Sequence, residues 1–93
     1  MALFAVRYTY TSATTEGRDA HRARHRAWLA DLVERKVVIS SGPFTDGNGA
    51  LIIVEGDDLD SVRTLFDQDP FATENLVEKS EISEWQPVMG AFS

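Results

Sequence analysis

The stretch Val37-Val38-Ile39-Ser40-Ser41-Gly42-Pro43-Phe44-Thr45-Asp46-Gly47-Asn48-Gly49-Ala50-Leu51-Ile52-Ile53-Val54-Glu55 decides the fold. Val37 to Ser41 opens on a β-branched run that suits a strand, and Gly42-Pro43 ends or kinks it. Asp46-Gly47-Asn48-Gly49 is a hairpin turn signal, so Ala50 to Glu55 is expected to return antiparallel beside the first run. What flanks this central hairpin then fixes the topology.

On its N-terminal side a long helix is predicted from about Glu16 to Lys36, with Thr14 or Thr15 available as N-cap. Its apolar face carries Ala27, Trp28, Leu29, Leu32 and Val33, and it runs into the hairpin almost without a linker. Before it, Phe4, Val6, Tyr8 and Tyr10 alternate with Ala5, Arg7 and Thr9, the period of a strand. On the C-terminal side Asp57 or Asp58 caps a short helix burying Leu59, Val62, Leu65 and Phe66, which stops before Asp69-Pro70 because proline disfavours helical geometry in the preceding residue. The last strand is expected within Asn75 to Trp85, although Leu76, Val77, Ile82 and Trp85 do not share one alternation. The order β-α-β-β-α-β is the ferredoxin-like, split βαβ arrangement of the α+β class: a four-stranded antiparallel sheet with two helices on one face, here one domain over residues 1–93.

Such a sheet leaves its other face bare. Ala50-Leu51-Ile52-Ile53-Val54 is apolar at consecutive positions, so both faces need cover while only two helices are available. A second copy can supply it, and a short chain of 93 residues exposes much surface unless it pairs. A homodimer is therefore expected, two sheets packing face to face as a dimeric α+β barrel, with Trp85 and Phe92 as dimer contacts.

Composition excludes several classes. The apolar runs Met1 to Val6 and Ala50 to Val54 are far shorter than the roughly 20 residues that span a bilayer, so no membrane partner is expected. Without a basic leader at the N-terminus, the chain is read as cytoplasmic. Absence of cysteine rules out disulfides and thiolate chemistry. The net charge of −6 hides an asymmetry: residues 1–36 carry seven Lys/Arg against four Asp/Glu, and residues 37–93 two against eleven. An acidic chain with one basic helix is a poor nucleic-acid binder but suits a small anionic metabolite. Arg24, Arg26, Arg35 and Lys36 are read as a solvated helix face.

The candidate site lies on that helix. Read back from Leu32 at helical spacing, the stripe runs Leu32, Leu29, His25, Arg22, Arg18, turning from apolar to cationic at the histidine. A core-facing stripe ending in an imidazole and two guanidiniums resembles the wall of a polar pocket. Histidine changes charge near neutral pH, as a general base requires, and the arginines favour an anion beside it. Ser41, ahead of Gly42, is placed to add a hydroxyl or the amides beyond it. His21 stands four positions before His25, but Arg22 occupies the place of the glutamate that a zinc-protease motif needs. No metal is expected, and without a phosphate-binding glycine loop no cofactor is implied.

The pattern Arg18-x3-Arg22-x2-His25, then Trp28-Leu29, the strand into Ser41-Gly42-Pro43-Phe44, and Asp69-Pro70-Phe71 after the second helix resembles the YCII-related (YciI-like) family over almost the whole chain. The resemblance implies a dimeric α+β barrel subunit related to muconolactone isomerase, with a His-Asp dyad formed here by His25 and Asp69. It also implies that Arg18 and Arg22 correspond to arginines preceding the family histidine. One branch of the family removes chloride from a chlorinated hydroxyhydroquinone; the short hairpin Thr45 to Asn48 departs from longer members. Two functions follow as expectations: a lyase or isomerase with His25 as general base, or a binding module holding a metabolite in the same pocket. From the residues alone, Asp69 before proline equally serves as a helix cap or turn, and Trp28 and Phe71 as core.

Overall fold

The computed structural model describes residues 2–93. Strand β1 (Ala2–Thr9) leads through a 3-10 turn (Ser12–Thr14) into helix α1 (Thr15–Glu34), and β2 (Val38–Pro43) and β3 (Gly49–Gly56) form the hairpin. Helix α2 (Leu59–Phe66), a one-turn helix α3 (Pro70–Thr73) and β4 (Lys79–Trp85) complete the chain. The sheet order is β2-β3-β1-β4 with every pairing antiparallel, the ferredoxin-like topology expected from the sequence. In register, Val6 faces Ile52 on one side and Ile82 on the other, and Tyr8 faces Ala50 and Ser80.

Period-two patterning sends Phe4, Val6 and Tyr8 of β1 and Ile52 and Val54 of β3 to one face. There they meet Leu29 and Leu32 of α1 and Val62 and Phe66 of α2 in a single core. Each such side chain contributes about 1.5–3 kcal/mol through burial. On the opposite face Leu51 and Trp85 stay 39% exposed.

Three local features position the site. First, α1 ends in a Schellman motif: Lys36 takes φ 62°, its N–H bonds Val33 O at 3.0 Å, and the Val37 N–H bonds Leu32 O at 2.9 Å. That tight reversal lets β2 start four residues after the helix ends, as the missing linker suggested. Second, β2 does not stop at Ser41 but pairs through Gly42 to Pro43, tolerated because β2 is an edge strand. Its register slips between Val38 and Ser40. This bulge at Ile39 puts Ser41, rather than Ser40, opposite Ile52 on the helix-covered face. Third, the hairpin closes on Gly47 (φ 78°), with the Asn48 N–H held by Asp46 Oδ1 at 2.8 Å.

Other expectations shift in detail. Thr14 occupies the N-cap position of α1, but its hydroxyl bonds Leu76 O and receives Arg18 instead of capping the helix. Asp58 caps α2 reciprocally with Ser61. Leu76 and Val77 precede β4 as irregular chain, which explains why they shared no alternation with Ile82 and Trp85.

Candidate functional site

Asp69 is fully buried, and its carboxylate meets three donors. Oδ1 lies 2.7 Å from His25 Nδ1 and accepts the Phe71 N–H at 3.0 Å, while Oδ2 accepts the Tyr8 hydroxyl at 2.7 Å. Asp69 caps α3, with Pro70 at its first position, and the oxygen that receives the Phe71 N–H is also the one beside the histidine. An acceptor oxygen at Nδ1 places the ring proton there and leaves Nε2 with its lone pair. Nε2 has no protein partner, yet among the described residues no buried side-chain nitrogen or oxygen is left unpaired, so Nε2 reaches accessible space. The imidazole is fixed from behind by Phe71, stacked at 3.9 Å between centroids and 3° between planes.

That space is a cleft of about 390 Å³ between α1 and the β2–β3 hairpin, large enough for a single-ring metabolite. Its walls include His25, Arg18, Arg22 and Ser41, the residues singled out from the sequence, together with Tyr10 and Arg26. Asp69 stands behind His25, outside the lining. Small residues, Gly42, Gly47, Gly49 and Ala50, form the hairpin side, and an added Cβ at Gly42 would meet only open space.

The two arginines of the stripe differ in freedom. Arg18 is buried, its guanidinium donating to Thr11 O at 3.1 Å and to the hydroxyls of Thr14 and Thr15, with Tyr10 beneath it at 4.4 Å. Three of its five donors are engaged by these threonines, so what it chiefly offers the cleft is charge. Arg22 is paired with Asp19 one helical turn earlier and remains partly exposed.

Burial and the Asp69 charge raise both tyrosines. Tyr8 is pushed far above the ordinary phenol range by burial, then by the charge and hydrogen bond of Asp69. Tyr10 is pushed up to about 12 by burial and Asp69, with Arg18 and Arg22 pulling the other way. Both remain phenols at neutral pH.

Sequence reasoning missed Tyr8, Tyr10 and Arg26 as site residues, and assigned Phe71 to the core without its second role under the imidazole. The signal for Tyr8 was present: it stands on the inward period of β1, and a buried phenol needs a hydrogen-bond partner.

Fold and cleft together define a ferredoxin-like α+β domain with a histidine beside a buried carboxylate between helix and sheet. The chain belongs to the YCII-related family, whose domain model matches residues 2–86. Among solved structures it is similar to the 5-chloro-2-hydroxyhydroquinone dehydrochlorinase of Burkholderia phenoliruptrix AC1100 in complex with 2,5-dihydroxybenzoquinone: TM-score 0.79, 24% sequence identity, 90% of this chain and 93% of that one covered. At that identity the likeness speaks for the fold. A search of curated proteins finds no match.

Proposed function

We propose that this chain is a small, homodimeric, cytoplasmic enzyme performing general acid/base chemistry of the lyase or isomerase type on a small anionic or aromatic metabolite. The observation that carries this reading is the His25–Asp69 contact at 2.7 Å with Nε2 unpaired beside a cleft. Nε2 takes a proton from the substrate, and Asp69 stabilises the imidazolium that forms. In an elimination the electron pair of the bond to the abstracted proton forms a new double bond while a leaving anion such as chloride departs with the pair of its own bond; in an isomerisation the proton returns to another substrate atom. Tyr10, still protonated at neutral pH, donates to the developing oxyanion, and the positive charge of Arg18 and Arg22 favours it. Ser41 contributes its hydroxyl from the opposite wall.

The solved structure to which the chain is similar holds a dihydroxybenzoquinone and is called a dehydrochlorinase, which supports a ring-sized substrate and a dehydrochlorinase-like reaction. Self-association is supported by the exposed Leu51 and Trp85 on the sheet face that the helices leave uncovered. The test is a metabolite screen on wild type, His25→Ala and Asp69→Asn, read by melting shift and by turnover. Acid/base catalysis predicts that His25→Ala abolishes turnover while ligands still raise the melting temperature. Undiminished turnover in His25→Ala would sink it, and ligands that shift melting without ever turning over would favour the binding module.

A further inference from the structure

The chain carries seven arginines, and among the described residues six have a partner. Arg7 lies over the Phe44 ring, Arg18 is bonded to three threonines, and Arg22 pairs with Asp19. Arg24 contacts His21, Arg35 pairs with Asp31, and Arg63 with Asp60. Among the described residues Arg26 has neither ion pair, hydrogen bond nor aromatic ring, and of the three arginines in the cleft wall it is the one with no donor engaged.

Its place on α1 is specific. Arg22, Arg26 and Ala30 recur every fourth residue, forming a row beside the one that carries His25 and Leu29, and both rows line the cleft. An acid at position 30 would lie within reach of the guanidinium; alanine leaves it unpaired and leaves room above it. Like charges four residues apart repel, and only Arg22 of the two has an internal counter-ion. The lining contains Arg18, Arg22, Arg26 and His25 and no carboxylate, although the chain has 15 acidic residues and a net charge of −6. In this positive concavity of an otherwise acidic molecule, Arg26 presents a wholly unengaged donor set to an incoming anion.

We infer that Arg26 is the specificity-determining residue of the cleft: its guanidinium fork binds a carboxylate or enolate group of a single-ring substrate whose acidic proton faces His25 Nε2. This rests on reading the cleft as a substrate site, and it names the substrate as a molecule with two separated functions, an acidic proton and a second, anionic group. Arginine suits the second because its planar donors grip two oxygens at once, whereas lysine offers a point charge. Because Arg26 is exposed, its attraction for an anion is screened and weakens with added salt.

The test uses the full-length protein with 2,5-dihydroxybenzoquinone and 2,5-dihydroxybenzoate as anionic probes and hydroquinone as the uncharged one. Affinities are read by calorimetry at low and high salt for wild type, Arg26→Gln, Arg26→Lys and Arg24→Gln, the last as a helix-face control. Arg26→Gln is expected to weaken the anions about tenfold or more and to flatten their salt dependence, leaving hydroquinone and the melting temperature unchanged. Arg26→Lys recovers part of the affinity, and Arg24→Gln binds like wild type. Equal anion affinity in wild type and Arg26→Gln, an equal loss in Arg24→Gln, or no anion binding by wild type at millimolar concentration overturns the inference. Failure of the catalytic reading looks different: Arg26-dependent binding persists, but no probe or substrate turns over.

Discussion

The Tyr8 hydroxyl donates to Oδ2 of Asp69 at 2.7 Å, occupying the carboxylate oxygen that His25 does not use. A strand residue thereby fixes the tilt of a carboxylate whose other oxygen fixes a helix residue. Tyr8→Phe keeps the ring in the core and removes only the donor, leaving a buried carboxylate oxygen unpaired at a cost of about 1–3 kcal/mol. Urea denaturation should show a lower midpoint with an unchanged slope. A variant as stable as wild type would mean that Asp69 is held without Tyr8.

Asp69→Ala strips the partner from three buried groups at once: the Tyr8 hydroxyl, the Phe71 N–H and His25 Nδ1. Each buried polar group left without a partner costs about 1–3 kcal/mol, so with three such groups this variant should be the least stable of the set. The imidazole tautomer is the sharper readout. Nitrogen-15 NMR of the wild type above the histidine titration range should show the His25 proton on Nδ1. An Nε2–H tautomer in the wild type would contradict the carboxylate-held geometry.

Two glycines with similarly tight surroundings should respond differently. A Cβ at Gly49 would lie 2.1 Å from the backbone oxygen of Tyr8, and the two strands cannot separate there without disturbing the β1–β3 pairing. A Cβ at Gly17 would meet Leu76 Cδ2 at 2.4 Å, the end of a side chain that can change rotamer. Gly49→Ala should cost about 1–3 kcal/mol by overpacking, while Gly17→Ala, in a helix that favours alanine, should cost less or stabilise. Comparing the two melting temperatures checks this, and an equal loss at both sites would contradict it.

What could be read from the sequence follows the range over which each interaction acts. The hairpin, the helix stripe and the order of elements are local patterns, and they gave the topology directly. His25 and Asp69 stand 44 positions apart, and only the family resemblance joined them before the structure brought them to 2.7 Å. The bulge at Ile39 was not legible, because it depends on register against β3; it determines that Ser41, not Ser40, turns toward the cleft. Arg26 was read as solvated for a related reason. Its exposure resembles that of its neighbours on α1, and only the hairpin lying opposite turns that stretch of helix into a cleft wall.

The uncovered sheet face yields a prediction about assembly. Leu51 lies on the central strand β3 opposite Arg7, both pointing away from the helices. Sedimentation equilibrium of the wild type should report a dimer, and Leu51→Lys should shift it to monomer by placing a second cation beside Arg7 in the interface. A monomeric wild type at micromolar concentration would refute self-association through this face.

Alkaline stability is set by the two tyrosines. In the unfolded chain both phenols titrate near pH ~10. In the folded chain Tyr10 is raised to about 12 and Tyr8 further, by burial and by the charge of Asp69. Above pH ~10 the unfolded state therefore binds fewer protons than the native state, and the linkage relation makes the free energy of unfolding fall as pH rises. The contribution of the raised tyrosines is fully present below pH ~10 and is lost progressively through the folded titration of Tyr10 and beyond. Urea midpoints measured from pH 8 to 12 should decline steeply over the upper half of that range. Tyr8→Phe removes the larger of the two shifts, so its decline should be shallower even though it starts from a lower stability. Tyrosine absorbance should agree: the Tyr8 phenolate appears only on unfolding. A native protein that ionises both tyrosines near pH 10 would show that the Tyr8–Asp69 hydrogen bond does not form in solution.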